Sequence, residues 1–369
     1  MKISDISITH HRLPLDPPFH ASWDTKPRTQ FDATIVRVQT DEGLVGIGSG
    51  DRMIGFEGHE ELFIGQDPMR LERHYRILSN INFHYGRCWP LDLALWDLCG
   101  KITGQPVWKL LGGNADRIRA YASSGTLRSP TEMADFAADI SAQGFKAMKV
   151  RFHRAVWQDD VAIVRAIRER VGSTLELMVD CNQGWRMPWD TKSPWTYKDA
   201  LAVARALEKL NVYWMEEPLF RADRDNMRLL REATDIRIAG GEMNREVSEF
   251  KDLIAAGSLD IVQPDAALVG GITGLRRVAV LAEENGILFT PHTWTNGIGL
   301  LANAHLTAGI SNAPFLEFPY DEPAWSLDRR DYMLASPTSI DDGGFLTLSD
   351  APGLGIVLNE DTLAATLIT

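Results

Sequence analysis

The sequence predicts an α/β fold in which an α+β module precedes a TIM-type (β/α) barrel, and three observations support this. First, apolar runs of strand length alternate with helical segments through the middle of the chain. Second, six of these runs end in an acidic or basic residue, at spacings of 23 to 36 residues, about one strand plus one helix. Third, both ends of the chain leave this alternation. Polar residues at successive strand ends are typical of the active-site face of a parallel barrel.

The composition favours a globular enzyme and argues against a nucleic-acid-binding protein. The 369 residues are 44% hydrophobic and 24% charged, which predicts a packed core. The net charge is −12, whereas binding to nucleic-acid phosphates requires clustered Lys and Arg. We therefore expect a small-molecule substrate and no nucleic-acid partner.

The cysteines and the hydropathy predict a cytoplasmic location. The three cysteines form no CxxC pair, which favours free thiols in a reducing compartment. The amino terminus alternates like a strand and does not resemble a signal peptide. No apolar run reaches the length that spans a membrane, so no membrane partner is expected.

The chain divides into three predicted segments. Residues 1–117 show strands followed by helices and form the α+β module. Residues 118–334 form the barrel, and the helix after its first strand should begin at Ser129 with a capping box completed by Glu132. Residues 335–369 leave the βα pattern and are predicted to return to the first module.

Three carboxylates end the third, fourth and fifth predicted barrel strands: Asp180, Glu216 and Glu242. Neighbouring parallel strands lie about 5 Å apart, so these side chains can converge. Taken singly, each acid is better explained as a solvated loop residue or a helix cap, but three in register are improbable by chance. An all-oxygen set suits Mg²⁺ or Mn²⁺ better than Zn²⁺.

Asp265 and His292 end the sixth and seventh strands. A carboxylate beside an imidazole fixes its tautomer and raises its basicity, as a general acid–base histidine requires. A lone histidine is more often structural, but its register with Asp265 favours a catalytic pair.

Lys149, Arg151 and His153 alternate along the second strand and should share the face that points into the barrel. Lys149, near a metal and another cation, is expected to have a depressed pKa and to act as a base. Arg151 stays protonated and suits holding a carboxylate. A structural role competes with function most strongly for His153.

Glu317 ends the eighth strand. If it is protonated, it can donate a hydrogen bond to an oxyanion, and apolar surroundings would raise its pKa accordingly. A solvated carboxylate is the alternative interpretation.

These residues belong to a set of motifs by which the chain resembles the enolase superfamily, and within it the mandelate racemase/muconate lactonizing enzyme family. The resemblance covers nearly the whole chain, and it lies in the motifs LDLALWDLCGKITGQPVWKLLGG, KVR, VDCNQ, MEEP, GGE, QPDAALVGGITG, PHT and LE. It implies an enolase-like fold, a modified (β/α) barrel under an α+β capping domain. It also implies the chemistry known for this superfamily, one Mg²⁺ and abstraction of the proton α to a carboxylate through an enediolate.

The resemblance also implies roles for individual residues. The metal ligands of the family correspond to Asp180, Glu216 and Glu242. Its His–Asp dyad corresponds to His292 and Asp265, and its hydrogen-bond donor to the enolate corresponds to Glu317.

One departure from the family pattern bears on the reaction. The prototype carries Lys-x-Lys on the second strand, whereas this chain has Arg151 at the second position. Two-base racemisation requires a base on each face of the α-carbon, so we favour the β-elimination of water from a sugar acid, an aldonate or aldarate, to a 2-keto-3-deoxy acid. Lys149 or His292 would abstract the proton, and His292 would expel the hydroxyl.

The alternatives are a racemase, an epimerase or a lactone cycloisomerase, which share the enolate but lose no water. A non-catalytic binding protein is disfavoured because the metal trio and the dyad are both intact.

Substrate contacts are predicted from the capping module and the strand ends. His20 and Trp23 lie on a loop where the family closes over its small-molecule carboxylate, and Asn182 and Trp294 follow catalytic strand ends. The insertion WRMPWDTKSPW after the third strand either narrows the pocket or forms a subunit contact. By resemblance the protein is expected to be a homo-oligomer.

Overall fold

The computed structural model describes residues 1–368, and the chain begins with a three-stranded antiparallel sheet. Its strands are β1 (Ile3–Phe19), β2 (Arg28–Thr40) and β3 (Val45–Gly50). After a 3-10 turn at Glu60–Leu62, three helices follow: α1 (Leu71–His84), α2 (Pro90–Thr103) and α3 (Val107–Leu110). These elements form the α+β module that the sequence predicts.

Helix α2 is buried between this sheet and the barrel. Two glycines of β3 allow its close approach, because a Cβ at Gly48 would lie 2.0 Å from the Pro90 carbonyl oxygen and one at Gly46 2.1 Å from that of Ala94. On the barrel side, Trp96 Nε1 donates a hydrogen bond of 2.8 Å to Thr273 Oγ1. The helix therefore attaches the first module to the barrel.

Eight parallel strands form the barrel: β4 (Arg117–Ser123), β5 (Ala147–Arg151), β6 (Glu176–Asp180), β7 (Val212–Glu216), β8 (Arg237–Gly240), β9 (Ile261–Val262), β10 (Leu288–Phe289) and β11 (Leu316–Pro319). They pair in chain order from β4 to β10, and β11 pairs with β4. Within residues 1–368 no ladder joins β10 to β11, where Phe289 N donates to Asn312 O instead. The predicted fold class, a modified TIM-type barrel with a capping α+β module, is confirmed.

The barrel helices are α4 (Pro130–Ala142), α5 (Trp157–Val171), α6 (Tyr197–Glu208), α7 (Arg224–Ala233), α8 (Val247–Ala255), α9 (Gly271–Glu284) and α10 (Gly297–Gly309). The capping box predicted for the first of them is present, since Ser129 and Glu132 exchange side-chain-to-backbone hydrogen bonds. Among the helices of residues 1–368, none combines the length and the apolar character needed to cross a bilayer.

Aromatic side chains close the inside of the barrel below the strand ends. Tyr121 and Trp214 meet edge to face with ring centres 5.2 Å apart, and Phe315 packs against both at 6.2 Å and 5.9 Å. All three are buried. This layer separates the polar groups at the strand ends from the solvent below, so charges there are poorly hydrated.

The end of the chain forms α11 (Leu327–Arg330), β12 (Phe345–Thr347) and α12 (Glu360–Thr366). Strand β12 pairs antiparallel with the first half of β4, so this part contacts the amino-terminal end of the barrel. Other parts contact the first module, since Leu354 N donates to Asp97 Oδ1 at 2.7 Å and His11 Nδ1 lies 3.0 Å from Leu363 O. The domain limits at 117 and 334 stay predictions.

Candidate active site

Three carboxylates converge above β6, β7 and β8. Asp180 and Glu216 are the last residues of β6 and β7 and are paired across the ladder, and Glu242 follows β8 by two residues. One oxygen of each lies within 4.8 Å of the others, and all three residues are buried. This is the arrangement that the register of the strand ends predicts.

Indole and amide donors orient these carboxylates. Glu216 Oε2 accepts hydrogen bonds from Trp214 Nε1 at 3.1 Å and Gln263 Nε2 at 2.8 Å. Glu242 Oε1 accepts one from Trp185 Nε1 at 2.7 Å. The other Glu242 oxygen is buried without a hydrogen-bond partner and is free to bind a cation.

The donor set fits a hard divalent cation. Burial raises the pKa of Asp180 and that of Glu216, because the ionised forms lose water. A cation bound by the three carboxylates would offset that cost. Carboxylate oxygens alone, without His or Cys, suit Mg²⁺ or Mn²⁺ rather than Zn²⁺.

Lys149, on β5, binds the acidic cluster from below. Its Nζ lies 2.6 Å from Glu216 Oε1, 2.7 Å from Glu317 Oε1 and 3.9 Å from Asp180 Oδ2. Burial would lower the pKa of Lys149, but Glu216 and Glu317 outweigh it and hold that pKa above its ordinary value. The expected depressed pKa is therefore wrong, because these carboxylates dominate the surroundings of the amine.

Arg151 ends β5 as a cation held in place on several sides. Its guanidinium donates to Asp180 Oδ2, and its Nε donates to Ser124 O at 2.9 Å. The indole rings of Trp23 and Trp294 lie over it, with centres 4.8 Å and 5.3 Å from the guanidinium carbon. Such a group attracts a carboxylate or a developing negative charge and does not accept a proton.

Glu317 lies on β11 among donors rather than apolar groups. Ser123 Oγ donates to its Oε1 at 2.7 Å, and Thr293 N to its Oε2 at 2.8 Å. Burial would raise the pKa of Glu317, but Lys149, His292 and Arg151 bring it down to about 2. The expected protonated Glu317 is therefore wrong for this arrangement of charges, in which the group is an ionised acceptor.

Asp265 and His292 meet beyond β9 and β10. Asp265 Oδ2 lies 2.9 Å from His292 Nδ1, so in the neutral imidazole that nitrogen carries the proton and Nε2 has the lone pair. Nε2 lies 3.6 Å from Glu242 Oε2. Burial would lower the pKa of His292, but the carboxylates of Glu242, Asp265 and Glu317 raise it to about 9. A cation bound to Glu242 would reduce the effect of this carboxylate on the pKa of His292.

Asn303, on α10, orients this pair, although no sequence motif indicates it. Its Nδ2 donates to Asp265 Oδ1 at 3.0 Å and to His292 O at 3.2 Å. Ala267 N donates to the same Asp265 oxygen at 2.8 Å. The available signal was an Asn in the mostly apolar segment GLLANAHLTAG, since a buried polar group there requires hydrogen-bond partners.

A cavity of about 180 Å³ lies above these groups, between the barrel and the first module. The barrel contributes Arg151, Glu242 and His292 together with aromatic and aliphatic side chains, and the first module contributes Trp23, Arg28, Phe31, Asp51 and Arg87. Drug-sized ligands occupy pockets of about 300–1,000 Å³, so this volume suits a smaller organic acid.

The tryptophan-rich insertion narrows the cavity, which was one of its two predicted roles. Trp185 and Met187 line the wall. Farther out, Trp189 Nε1 donates to Asp24 Oδ1 at 2.8 Å, and Lys26 Nζ lies 4.5 Å from the centre of the Trp189 ring. The insertion thus contacts the loop after β1, and together they cover the cavity from two sides.

Two of the four predicted substrate contacts reach the cavity. Trp23 and Trp294 line it, with ring centres 4.9 Å apart. His20 does not, because the neighbouring Phe19 is buried against Trp325 and the side chain of His20 is turned to solvent. Asn182 does not line it either, since its Nδ2 donates to Phe152 O at 2.6 Å.

Two family models match the chain and together cover most of it. The model described as mandelate racemase/muconate lactonizing enzyme, N-terminal domain, matches residues 3–112. The model described as enolase C-terminal domain-like matches residues 132–362, which include all the acidic and basic groups of the barrel mouth described above.

Curated relatives with different reactions resemble the chain over most of its length. It is 29% identical to a D-galactarolactone cycloisomerase of Agrobacterium fabrum, covering 98% of each chain. It is 30% identical to an L-talarate/galactarate dehydratase of Salmonella typhimurium, covering 93% of this chain and 85% of that one. Among solved structures, a D-glucarate dehydratase of Agrobacterium tumefaciens complexed with magnesium superposes with a TM-score of 0.87 at 27% identity over the full length of both chains.

Proposed function

The chain belongs to the mandelate racemase/muconate lactonizing enzyme family of the enolase superfamily, and on that premise we propose that it abstracts the proton α to the carboxylate of a small sugar acid. Asp180, Glu216 and Glu242 would hold one Mg²⁺, a role supported by their convergence and by a magnesium-bound structural relative. Magnesium bound there would withdraw charge from the substrate carboxylate and so acidify the α-proton.

A difference between the two sides of the barrel mouth carries the proposed reaction. On one side, His292 offers Nε2 to the cavity while Asp265 holds Nδ1. On the other, Lys149 is bound to two carboxylates and Arg151 is permanently charged. One base and two fixed cations suit proton removal from a single face of the α-carbon. An elimination requires only this, whereas a two-base racemisation requires a base on each face.

We therefore assign the dehydration of an aldonate or aldarate. His292 Nε2 takes the α-proton, and the negative charge that develops on the substrate carboxylate faces Arg151. The protonated His292 then donates to the β-hydroxyl as the carbon–oxygen bond breaks, and water leaves. Ketonisation of the resulting enol yields a 2-keto-3-deoxy acid.

Cycloisomerisation is the second candidate, because one relative aligned over 98% of the chain is a D-galactarolactone cycloisomerase. The same two steps open a ring when the leaving oxygen belongs to a lactone or a cyclic ether. No atom is lost in that case, so the product is an isomer of the substrate.

Product analysis in D₂O distinguishes these reactions. The magnesium-loaded enzyme is incubated with aldonates, aldarates and their lactones, and the products are identified by NMR and mass spectrometry. We expect a 2-keto-3-deoxy acid, with a mass loss of one water for an open-chain substrate and none for a lactone. A chelator-treated sample and His292→Asn are the controls.

A different product would place the enzyme in another class. Inversion at the α-carbon with incorporation of solvent deuterium and no keto acid would show a racemase, with a working base on the β5 side. Turnover that persists both in the chelator-treated sample and in His292→Asn would exclude a reaction that depends on the metal and on His292.

A further inference from the structure

Arg87 is a cation at the cavity wall without an oxygen partner at hydrogen-bond distance. It lies between α1 and α2, and its side chain is only 22% exposed. Within residues 1–368 its one hydrogen-bond contact is with Met243 Sδ, at 3.9 Å, and the only carboxylate within 4 Å is Asp51, at 3.7 Å. By contrast, Arg12 makes two hydrogen bonds of 2.7 Å to Asp32.

A second arginine of the first module lies in the same wall of the cavity. Arg28 lines the cavity, and its nearest carboxylate is Asp24, at 3.3 Å. Phe31 and Trp23 provide the apolar surface beside it. Two guanidinium groups thus face the space above His292 and the proposed metal ligands. Neither of them makes a bidentate pair with a protein carboxylate.

We propose that Arg87, aided by Arg28, binds a second carboxylate at the far end of the substrate, so that the substrate is a dicarboxylic sugar acid, an aldarate or its lactone. This deepens the proposed function and depends on it for the position of the reacting carboxylate. A guanidinium presents parallel N–H donors that match the two oxygens of a carboxylate, whereas the terminal hydroxyl of an aldonate offers a single oxygen. Asp51 is positioned to accept a hydrogen bond from a neighbouring substrate hydroxyl.

The assignment also explains why an arginine is partly buried there. Burial lowers the pKa of Arg87, because the charged guanidinium loses water without gaining a close anion. A bound carboxylate would supply that anion in a cavity that excludes much of the solvent.

Binding measurements test this assignment separately from turnover. In a His292→Asn background with Mg²⁺, the dissociation constants of a six-carbon aldarate and the aldonate of the same configuration are measured by quenching of tryptophan fluorescence, since indoles line the cavity. We expect the aldarate to bind about 10–100-fold more tightly, the range of a charge-assisted hydrogen-bonded pair. Arg87→Met should abolish that preference, and Arg87→Lys should retain part of it.

The matched control is Arg76→Met, on the exposed side of α1 and outside the cavity, which should leave the preference unchanged. Equal affinities for the two acids, no binding of either, or a preference that survives Arg87→Met would overturn the assignment. If the aldarate preference depends on Arg87 but the protein with an intact His292 converts neither acid, the subsite stands and the proposed reaction fails. If both acids are converted and Arg87→Met changes neither affinity, the reaction stands and the subsite fails.

Discussion

Two histidine–carboxylate pairs follow barrel strands in this protein, and only one of them is positioned for acid–base chemistry. His292, beyond β10, lies 2.9 Å from Asp265 through Nδ1, and its other nitrogen faces the cavity. His153, beyond β5, lies 3.1 Å from Asp190 through Nε2, and its Nδ1 is buried without a hydrogen-bond partner. The expectation that His153 shares the inward face of Lys149 and Arg151 is wrong, because β5 ends at Arg151 and the chain then turns.

The two imidazole rings also differ in the charges of their neighbours. Burial lowers the pKa of His153, and Lys192 and Arg186 lower it further. Burial acts on His292 in the same direction, but carboxylates outweigh it. A histidine–carboxylate contact is therefore not sufficient for a base, which also requires a free nitrogen on the substrate side and neighbours that stabilise the imidazolium.

Replacing each histidine provides the largest expected contrast. His292→Asn should lower kcat by about 10²–10⁴-fold, the usual effect of losing a general acid–base group, because no other group of the cavity can take its place. His153→Asn, the matched variant, should leave kcat within a few-fold of the wild type. Steady-state rates and α-proton exchange in D₂O measure both, and similar losses in the two variants would remove the distinction between the pairs.

A Lys149 variant tests whether the buried carboxylates beside β5 depend on the charge of this residue. Lys149→Met leaves Glu216 and Glu317 without the ammonium that lies within 2.7 Å of both. Removing one partner of a buried ion pair costs about 3–5 kcal/mol, and we expect a loss of this size in the free energy of unfolding, measured with denaturant in the presence of a chelator. Mg²⁺ should recover part of it by compensating the carboxylates.

Lys146→Met is the control for this loss, since Lys146 is exposed just before β5. Its free energy of unfolding should change by less than about 0.5 kcal/mol. A Lys149→Met protein as stable as this control would mean that the carboxylates around Lys149 do not depend on its charge.

Replacing the carboxylate of each pair provides a second test of the difference between His292 and His153. In Asp265→Asn the amide oxygen should replace Oδ1, which two donors require, and the NH₂ group would then face His292 Nδ1. The imidazole would move its proton to Nε2 and could no longer accept one from substrate, so we expect kcat to fall about 10²-fold. Asp190→Asn should change kcat little. An unchanged pH–rate profile in Asp265→Asn would contradict this tautomer argument.

The smallest expected effect concerns the tryptophans of the insertion. Trp185→Phe removes the hydrogen bond to Glu242 Oε1 and should weaken Mg²⁺ binding about tenfold, the lower end of the effect of losing a group that orients a metal ligand. Trp189→Phe, which loses only its contact with Asp24, should bind Mg²⁺ normally. Calorimetric titration with Mg²⁺ measures both, and equal affinities would show that Trp185 does not orient the ligand.

The positions of the main site residues were predictable from the sequence. Asp180, Glu216, Asp265 and His292 each follow a short apolar run, and in a parallel barrel all such runs end at the same face. The same rule gave a wrong expectation for His153, because a strand that ends two residues earlier sends the next side chain elsewhere. His20 was misplaced for a similar reason, since the burial of Phe19 decides which way it points.

Partners from distant parts of the chain were not predictable. Trp185 reaches Glu242 from the insertion, and Asn303 reaches Asp265 from α10. Local patterns identify a buried polar residue, but its partner is known only when the helices are packed. Arg87 and Asp51 likewise reach the cavity because α2 attaches the first module to the barrel.

The sequence by itself determined the α/β architecture, the face of the barrel that carries the chemistry and the acidic and basic groups at its strand ends, because strand periodicity and strand length are local properties. The charge states were decided by the tertiary structure alone. Lys149 was expected to be a base with a depressed pKa and Glu317 a proton donor, yet their approach to 2.7 Å makes each of them stabilise the charged form of the other. Coulomb energy depends on separation and on the exclusion of water, and both are set only when β5 and β11 come together on either side of β4.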